Sequence, residues 1–185
     1  MSKLMWIAGE HMKRAVPDRL LGILLSDFRD RFSDSSFSAL KSTYAAELIP
    51  FVAPKVKLVK ELADQLHPLL EAGAVPVDGA ALKWNKDPAL KERIRMAIID
   101  LRKDWSDRVS SAGVARLKEA GIDHAAVDAR LRSLAETHGL KLGDLTQPMR
   151  LYVTGHSSSA IGLFDLFPLM NWQSIDLRLE VCLRS

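Results

Sequence analysis

The segment QPMRLYVTGHSSSAIGL, residues 147–163, combines a turn signal, an alternating run and a helix start in close succession. Its proline favours an extended or turn conformation at the entry. The alternation from Met149 to Val153 predicts a short extended piece that stops at Gly155, and the three serines that follow are typical caps of a helix start. Because a helix start carries unpaired N–H groups and partial positive charge, this corner is a candidate site beside Arg150 for a phosphate or a base edge. A capped turn that only joins two helices is the alternative interpretation.

Most of the chain outside this segment shows the periodicity of amphipathic helices. Apolar residues recur at intervals of three and four from Leu20 to Phe32, from Phe37 to Ile49 and from Leu90 to Val109. Asp87 followed by Pro88 is a favourable helix start, and Gly139 is a favourable helix end. We therefore predict an all-α fold whose one exception is a short extended segment near residues 149–153.

Residues 73–88, GAVPVDGAALKWNKDP, contain two glycines and two prolines. This composition is typical of a linker or a loop. We therefore predict two consecutive helical subdomains, residues 1–72 and residues 89–185, joined by this linker.

The composition excludes several classes of protein. The chain has 185 residues, of which 48% are hydrophobic, so it is long and apolar enough to form a core. It contains neither an apolar run long enough to span a bilayer nor a signal-peptide pattern. Its one cysteine, Cys182, excludes an internal disulfide and fits a reducing compartment, so a cytoplasmic location is expected. A net charge of +3 permits binding to a polyanion without requiring it.

Three lysines lie close together in PKVKLVKELADQL, residues 54–66, namely Lys55, Lys57 and Lys60. The leucine spacing of this segment predicts a helix, and the lysines would crowd its first turn, where the helix dipole disfavours positive charge. Such placement suggests contact with a polyanion, and a solvated helix face is the alternative.

Several of these segments resemble one known family in the same order along the chain. QPMR and the Thr154-Gly155 pair followed by serines, GLKLGDL at 139–145, and LRSLAETHG at 131–139 are similar to the C-terminal anticodon-binding region of bacterial-type glutamyl-tRNA synthetases, which are class I aminoacyl-tRNA synthetases. KLMWIAG at 3–9 resembles the segment that opens this region, although for Trp6 a core anchor is the expected role. The resemblance covers nearly the whole chain and implies an all-α domain that reads the anticodon loop of tRNA(Glu).

The resemblance also implies roles for individual residues. Arg150 matches an arginine that contacts an anticodon base, Ser158 and Ser159 compete for the position of a loop serine, and Leu163 lies near an apolar contact. Lys55 stands where the family has an arginine that reads the last anticodon base. Lysine keeps the charge but loses the planar fork, which favours a phosphate contact for Lys55 and its neighbour Lys57. The turn at Lys55 and the corner after Arg150 are expected to face one common groove.

No catalytic machinery is evident. The catalytic half of these synthetases carries HIGH-like and KMSKS-like motifs, and neither occurs here. We assign no catalytic role to the histidines, which have no partner at ligand or triad spacing, and we expect no metal site. ATP and Mg²⁺ would belong to the absent catalytic half of an ATP-dependent glutamate–tRNA ligase. That half is the expected partner if the chain is a fragment rather than a stand-alone copy, and the chain is expected to be monomeric.

An alternative function stays open. A helical protein-interaction or regulatory module without tRNA binding would show the same amphipathic helices with faces of mixed charge.

The secondary structure of the last residues, 174–185, also stays open. They alternate strictly in the manner of a strand, whereas the resemblance predicts a helix there.

Overall fold

The computed structural model describes residues 3–77 and 82–185, in which helices are joined by turns. Within these ranges the α-helices are α1 Lys3–Arg14, α2 Pro17–Asp27, α3 Asp34–Leu40, α4 Thr43–Val52, α5 Val59–Leu70, α6 Pro88–Ala112, α7 His124–Thr137, α8 Leu142–Thr154, α9 Leu163–Leu169 and α10 Trp172–Arg184. Short 3-10 turns occur at Arg29–Arg31, Ala53–Lys55, Lys83–Lys86 and Leu117–Ala120. The described residues contain no strand, and the predicted all-α class is confirmed.

The contacts divide the chain into two compact units, Met1–Ala72 and Gly73–Ser185. The segment 73–88, predicted as a linker, falls in the second unit, where Leu82 and Trp84 are buried. Residues 78–81 of that segment lie outside the described residues.

The first unit contains α1 to α5. Its core consists of the apolar faces of α2, α4 and α5, on which α3 packs. The fully buried side chains of this core include Leu24, Leu40, Leu48, Ile49, Leu62 and Leu66. Proline at the first position of α2 fits a helix start, because the missing N–H group would have no partner there. Helix α1 packs against the turn that joins α4 to α5.

The second unit is built on the long helix α6, which α7, α8 and α10 contact. The predicted start of α6 is confirmed, because Asp87 Oδ1 accepts a hydrogen bond from Leu90 N at 2.9 Å. Trp105 of α6 lies at the centre, with its ring edge-to-face with Phe167 at 5.5 Å and with Trp172 at 5.7 Å. Such pairs add to the stability that burial of the rings provides.

The C-terminal residues form helix α10, so the strand suggested by their alternation is wrong. Ile175, Leu179 and Cys182 are fully buried at helical spacing, which shows that packing rather than alternation sets the conformation. Asn171 caps the helix by accepting a hydrogen bond from Gln173 N at 2.9 Å. Burial raises the pKa of the Cys182 thiol to about 12.

No helix among residues 3–77 and 82–185 combines the length and the apolar character that crossing a bilayer requires.

Candidate nucleic-acid interface

The predicted lysine site forms a turn rather than the first turn of a helix. Helix α5 begins at Val59, so Lys55 and Lys57 precede it and only Lys60 lies in its first turn. The unfavourable interaction of three lysines with one helix dipole, on which the prediction rested, is therefore absent from this turn. We call residues 53–58 the lysine turn; Lys55 is exposed in it and Lys57 is half-buried.

A glutamate in the first turn of α5 holds the backbone of the lysine turn. Glu61 Oε2 accepts hydrogen bonds from Lys57 N at 2.7 Å and from Leu58 N at 3.3 Å. These bonds satisfy two donors that a helix start would otherwise leave unpaired. The turn therefore presents Lys55 on a fixed backbone, and within the described part of the chain no carboxylate pairs with it.

The predicted extended segment 149–153 is wrong, because these residues are the last turns of α8. Pro148 lies inside this helix, where a proline costs about 3 kcal/mol. Leu145, Met149 and Val153 are fully buried at intervals of four residues, and Tyr152 is also buried. Burial of such side chains contributes about 1.5–3 kcal/mol each, which outweighs the cost of the proline.

Arg150 is half-buried in α8, one turn before its C-terminal end. Its Nε atom is buried without a hydrogen-bond partner, and no described residue forms an ion pair with its guanidinium. Arg150 is thus not locked in a core ion pair. A buried donor without a partner is costly, so this Nε atom contributes no stability in the position that it occupies.

Residues 155–162, which we call the serine corner, connect α8 to α9. Gly155 ends α8 with a φ of 75°, a left-handed conformation that glycine adopts without strain. The buried hydroxyl of Thr154 lies 2.8 Å from Arg150 O and accepts a hydrogen bond from His156 N at 3.2 Å. These hydrogen bonds of Thr154 therefore connect the first residues of the serine corner to the helical turn of α8 that contains Arg150.

The serines of this corner do not cap the next helix. Helix α9 begins at Leu163 with Gly162 as its N-cap, and no side chain bonds to that cap. Ser158 is exposed, whereas Ser159 is half-buried and accepts a hydrogen bond from Ile161 N at 3.3 Å. The prediction of hydroxyl caps is therefore wrong, and Ser158 keeps its hydroxyl on the surface.

The start of α9 is also a poor phosphate site. The helix has seven residues and carries Asp165 in its first turn. A Cβ atom added to Gly162 would lie 3.1 Å from Asp165 Oδ2, so this carboxylate already occupies the space beside the helix start. Its negative charge opposes a bound anion. Leu163 is only 1% exposed, so its side chain belongs to the core. It is not accessible for the apolar contact with RNA that was predicted.

The chain matches one family over most of its length. Residues 23–183 match the model of the anticodon binding domain. The chain belongs to this anticodon-binding domain family. Its relatives include the glutamate–tRNA ligase of Syntrophobacter fumaroxidans, 26% identical over 182 residues that are 98% of this chain and 34% of that protein. Glutamate–tRNA ligase 1 of Mesorhizobium japonicum is 29% identical over 175 residues, 91% of this chain and 33% of that protein. The chain thus spans about a third of the length of the curated relatives it matches.

Within this anticodon-binding domain the predicted site residues form two groups. Lys55 and Lys57 lie in the first unit, and Arg150, Ser158 and Ser159 lie within ten residues of one another along the second unit. Both groups fall inside the range that the family model covers. That they face one groove stays a prediction.

Sequence reasoning missed Arg178, a fully buried arginine of α10. Its guanidinium donates to the Val153 carbonyl at the end of α8, and its Nε donates to Gly73 O at 3.0 Å. It therefore holds the helix end that precedes the serine corner. Helical spacing from Ile175, which places position 178 on the buried face, was the available signal.

The histidines of this domain, apart from the exposed His11 and His156, pair with carboxylates. His67 lies 2.9 Å from Glu71, His138 lies 2.9 Å from Asp100, and His124 lies 2.8 Å from Asp165. The pairs of His138 and His124 join segments that are distant in sequence, whereas His67 and Glu71 are four residues apart at the end of α5. No cluster of metal-ligating groups exists among residues 3–77 and 82–185.

Proposed function

We propose that this chain is the tRNA anticodon-loop recognition module of a glutamate–tRNA ligase, and that it acts with a catalytic half that binds ATP and Mg²⁺. The observation that carries the proposal is the family match over residues 23–183, which includes the whole lysine turn and the whole serine corner. The names of the relatives, together with the third of their length that the chain spans, indicate the enzyme to which such a module belongs.

The proposed base contact is made by Arg150. Proteins read RNA sequence mainly in single-stranded loops, by hydrogen bonds to the edges of unstacked bases. A guanidinium is suited to this task, because its planar fork can donate two parallel hydrogen bonds to one base edge. Arg150 has no ion pair in the described residues and an unsatisfied Nε, so it has no stronger partner to give up. Ser158, which is exposed eight residues after Arg150, provides a hydroxyl that can both donate and accept.

The proposed phosphate contact is made by the lysine turn. An ammonium group is a compact point charge that neutralises a phosphate without reading a base. Lys55 is exposed on a backbone that Glu61 holds in place. In this proposal Lys55 contributes affinity that depends on salt, and Arg150 contributes specificity.

The experiment is a titration of the full chain with an anticodon stem-loop that carries UUC, and with the same stem bearing a scrambled loop. We expect the UUC loop to bind more tightly. Arg150→Ala should weaken this binding by about 1–3 kcal/mol and should reduce the preference over the scrambled loop, as loss of a base contact does. Arg150→Lys should recover affinity but not preference.

Arg132→Ala is the matched control, because Arg132 is an exposed arginine of α7 whose loss changes the net charge equally. It should leave the preference unchanged. Equal binding of both loops by the wild-type chain would remove anticodon recognition from the proposal.

Lys55 is tested by the salt dependence of the same titration. Lys55→Ala should weaken both loops by similar factors and lower the slope of log K against log salt by about 0.7, the value for one single-strand phosphate contact. Lys55→Arg should keep that slope. A Lys55→Ala variant that loses preference and keeps the slope would contradict the phosphate assignment.

A further inference from the structure

A small groove separates helix α1 from the lysine turn, and both of its walls belong to the first unit. Its volume is about 140 Å³. Trp6 and Gly9 form one side, and Pro54, Lys55 and Lys57 form the other. The family model begins at residue 23, so the α1 side of the groove lies outside it.

The groove is preformed by close packing at its base. A Cβ atom added to Gly9 would lie 3.4 Å from Lys57 Cγ, so α1 approaches the lysine turn to van der Waals contact at that point. Val56, between the two lysines, is buried, and Glu61 holds the backbone that follows it. The two sides therefore meet at a fixed distance, and no rearrangement is needed to open the space between them.

Trp6 is the exposed wall of this groove. It is 61% exposed, which corrects the expectation of a core anchor. The other tryptophans, Trp84, Trp105 and Trp172, are at most 5% exposed. An indole that keeps most of its surface in water offers a flat face on which another ring can stack.

The charge at the groove is positive. Lys13, Lys55 and Lys57 line it, and the acidic residue of its lining, Glu10, bonds to Lys13 at 2.8 Å. This bond offsets the charge of Lys13, and on the opposite wall Lys55 is exposed and pairs with no carboxylate of the described residues. A cationic channel beside an exposed aromatic face is the combination that binds single-stranded nucleic acids, where the aromatic ring stacks on a base and the cations follow the phosphates.

We infer that this groove binds one unpaired nucleotide of the RNA, with its base stacked on Trp6 and its phosphate beside Lys55 and Lys57. The inference rests on the proposed function and adds a stacking contact that the family model does not cover.

A protein partner would use this surface differently. Leu4 is 77% exposed on the same helix but does not line the groove. A partner that covered the apolar face of α1 would bury Leu4 together with Trp6, whereas a stacked base needs only Trp6. Leu4→Ala is therefore the matched control.

The experiment uses the full chain and the UUC stem-loop, with binding followed by anisotropy of a dye on the RNA and by tryptophan emission. Because one exposed base–aromatic stack contributes on the order of 1–3 kcal/mol, Trp6→Ala should weaken binding by about 5- to 150-fold. Trp6→Tyr should recover most of the affinity, and Leu4→Ala should change it less than twofold. RNA should quench the emission of the wild-type chain but not that of Trp6→Tyr.

The outcomes separate this inference from the proposed function. If the stem-loop binds with UUC preference while Trp6→Ala binds equally well, stacking is wrong and anticodon recognition stands. If both loops bind equally but Trp6→Ala weakens both, the groove is a nucleotide site and anticodon recognition fails. If Leu4→Ala and Trp6→Ala weaken binding alike, the face of α1 acts as a general apolar surface, and the inference is overturned. Thermal unfolding of each variant should match the wild type, because both side chains are exposed.

Discussion

The chain contains two runs of serines that resemble each other in sequence and differ in what they do. In the first unit, Ser33 accepts a hydrogen bond from Ser36 N at 3.2 Å and caps α3. Ser33 and Ser35 also donate to Glu71 at the end of α5, the latter at 2.7 Å. In the serine corner of the second unit, Ser158 is exposed and Gly162 is the N-cap.

The difference follows from the distance along the chain between the serines and the next helix. Helix α3 begins one residue after Ser33, so its hydroxyl reaches the unpaired N–H groups of the first turn. Helix α9 begins four residues after Ser159, too far for a cap. Ser33 and Ser35 are held in hydrogen bonds that stabilise the fold, and Ser159 accepts a bond from Ile161 N, whereas Ser158 is exposed and lies beyond capping distance. The first run therefore contributes to stability, and we propose that the second contributes to RNA binding.

The largest expected effect concerns the support of the serine corner. Arg178→Met should leave the carbonyls of Val153 and Gly73 without this donor and should lower the free energy of unfolding by about 2–5 kcal/mol. Denaturant unfolding measures the change. Arg184→Ala, an exposed substitution on the same helix, should stay within about 0.5 kcal/mol of the wild type. A loss below 1 kcal/mol for Arg178→Met would show that the corner does not depend on this arginine.

The next effect concerns the backbone of the corner. Gly155 has a φ of 75°, so Gly155→Ala should cost about 1–2 kcal/mol of stability. Gly143 lies in the first turns of the same helix with open space around it, so Gly143→Ala should stabilise by up to about 1 kcal/mol. Thermal unfolding of the two variants should therefore shift in opposite directions. Shifts of the same sign would contradict the role given to Gly155.

Alanine substitutions, one in each serine run, test whether the two runs have different roles. Ser33→Ala should cost about 0.5–2 kcal/mol of stability through loss of the cap, with unchanged affinity for the UUC stem-loop. Ser158→Ala should leave stability within about 0.5 kcal/mol and should weaken the RNA complex. If Ser158→Ala destabilises the fold as much as Ser33→Ala, both serine runs serve stability and the proposed difference between them is wrong.

The smallest expected effect is a change in how the free energy of unfolding depends on pH, and it arises at the first serine run. Burial raises the pKa of Glu71, but hydrogen bonds from Ser33, Ser35 and Ser36 and the nearby His67 outweigh it, so the pKa of this carboxyl is lowered. A lowered pKa in the folded state contributes stability above the unfolded value of about 4.3, and the contribution is lost as pH falls through the folded value. Glu71→Gln should therefore flatten the acid side of the stability curve below about pH 4.3, by less than about 1 kcal/mol.

Unfolding at pH 3 and pH 7 measures this dependence. Asp18→Asn, an exposed substitution in the first turn of α2, is the control for removal of a carboxylate. An unchanged pH slope in Glu71→Gln would contradict the proposed bonding of the serine run.

Local patterns predicted the helical class and the start of α6, because caps act within a few residues. The bond from Leu90 N to Asp87 is an example of such a local interaction. Local patterns failed where tertiary packing decides the secondary structure of a segment. Alternation in 149–153 and 174–185 resembles a strand, yet burial on both Met149 and Leu151 fits a helix covered on more than one side.

The candidate site was predictable only in part, because sequence gives the positions of residues along the chain but not the tertiary packing around them. Similarity to a family depends on sequence alone, and it is the basis on which Lys55 and Arg150 are predicted as RNA contacts. The exposure of Trp6 and the burial of Leu163 depend on which helices pack over them, and no short motif carries that information. The partners of His138 and Arg178 are distant in sequence and share this limit.

The buried thiol of α10 makes this domain convenient for attaching probes. The chain has one cysteine, and its thiol stays protonated at neutral pH because its pKa is about 12. A maleimide reagent, which requires a thiolate, will therefore leave Cys182 unmodified in the folded state. A cysteine introduced by Ser158→Cys can then carry a single fluorophore without removal of the native thiol, and its emission will report RNA docking at the serine corner directly.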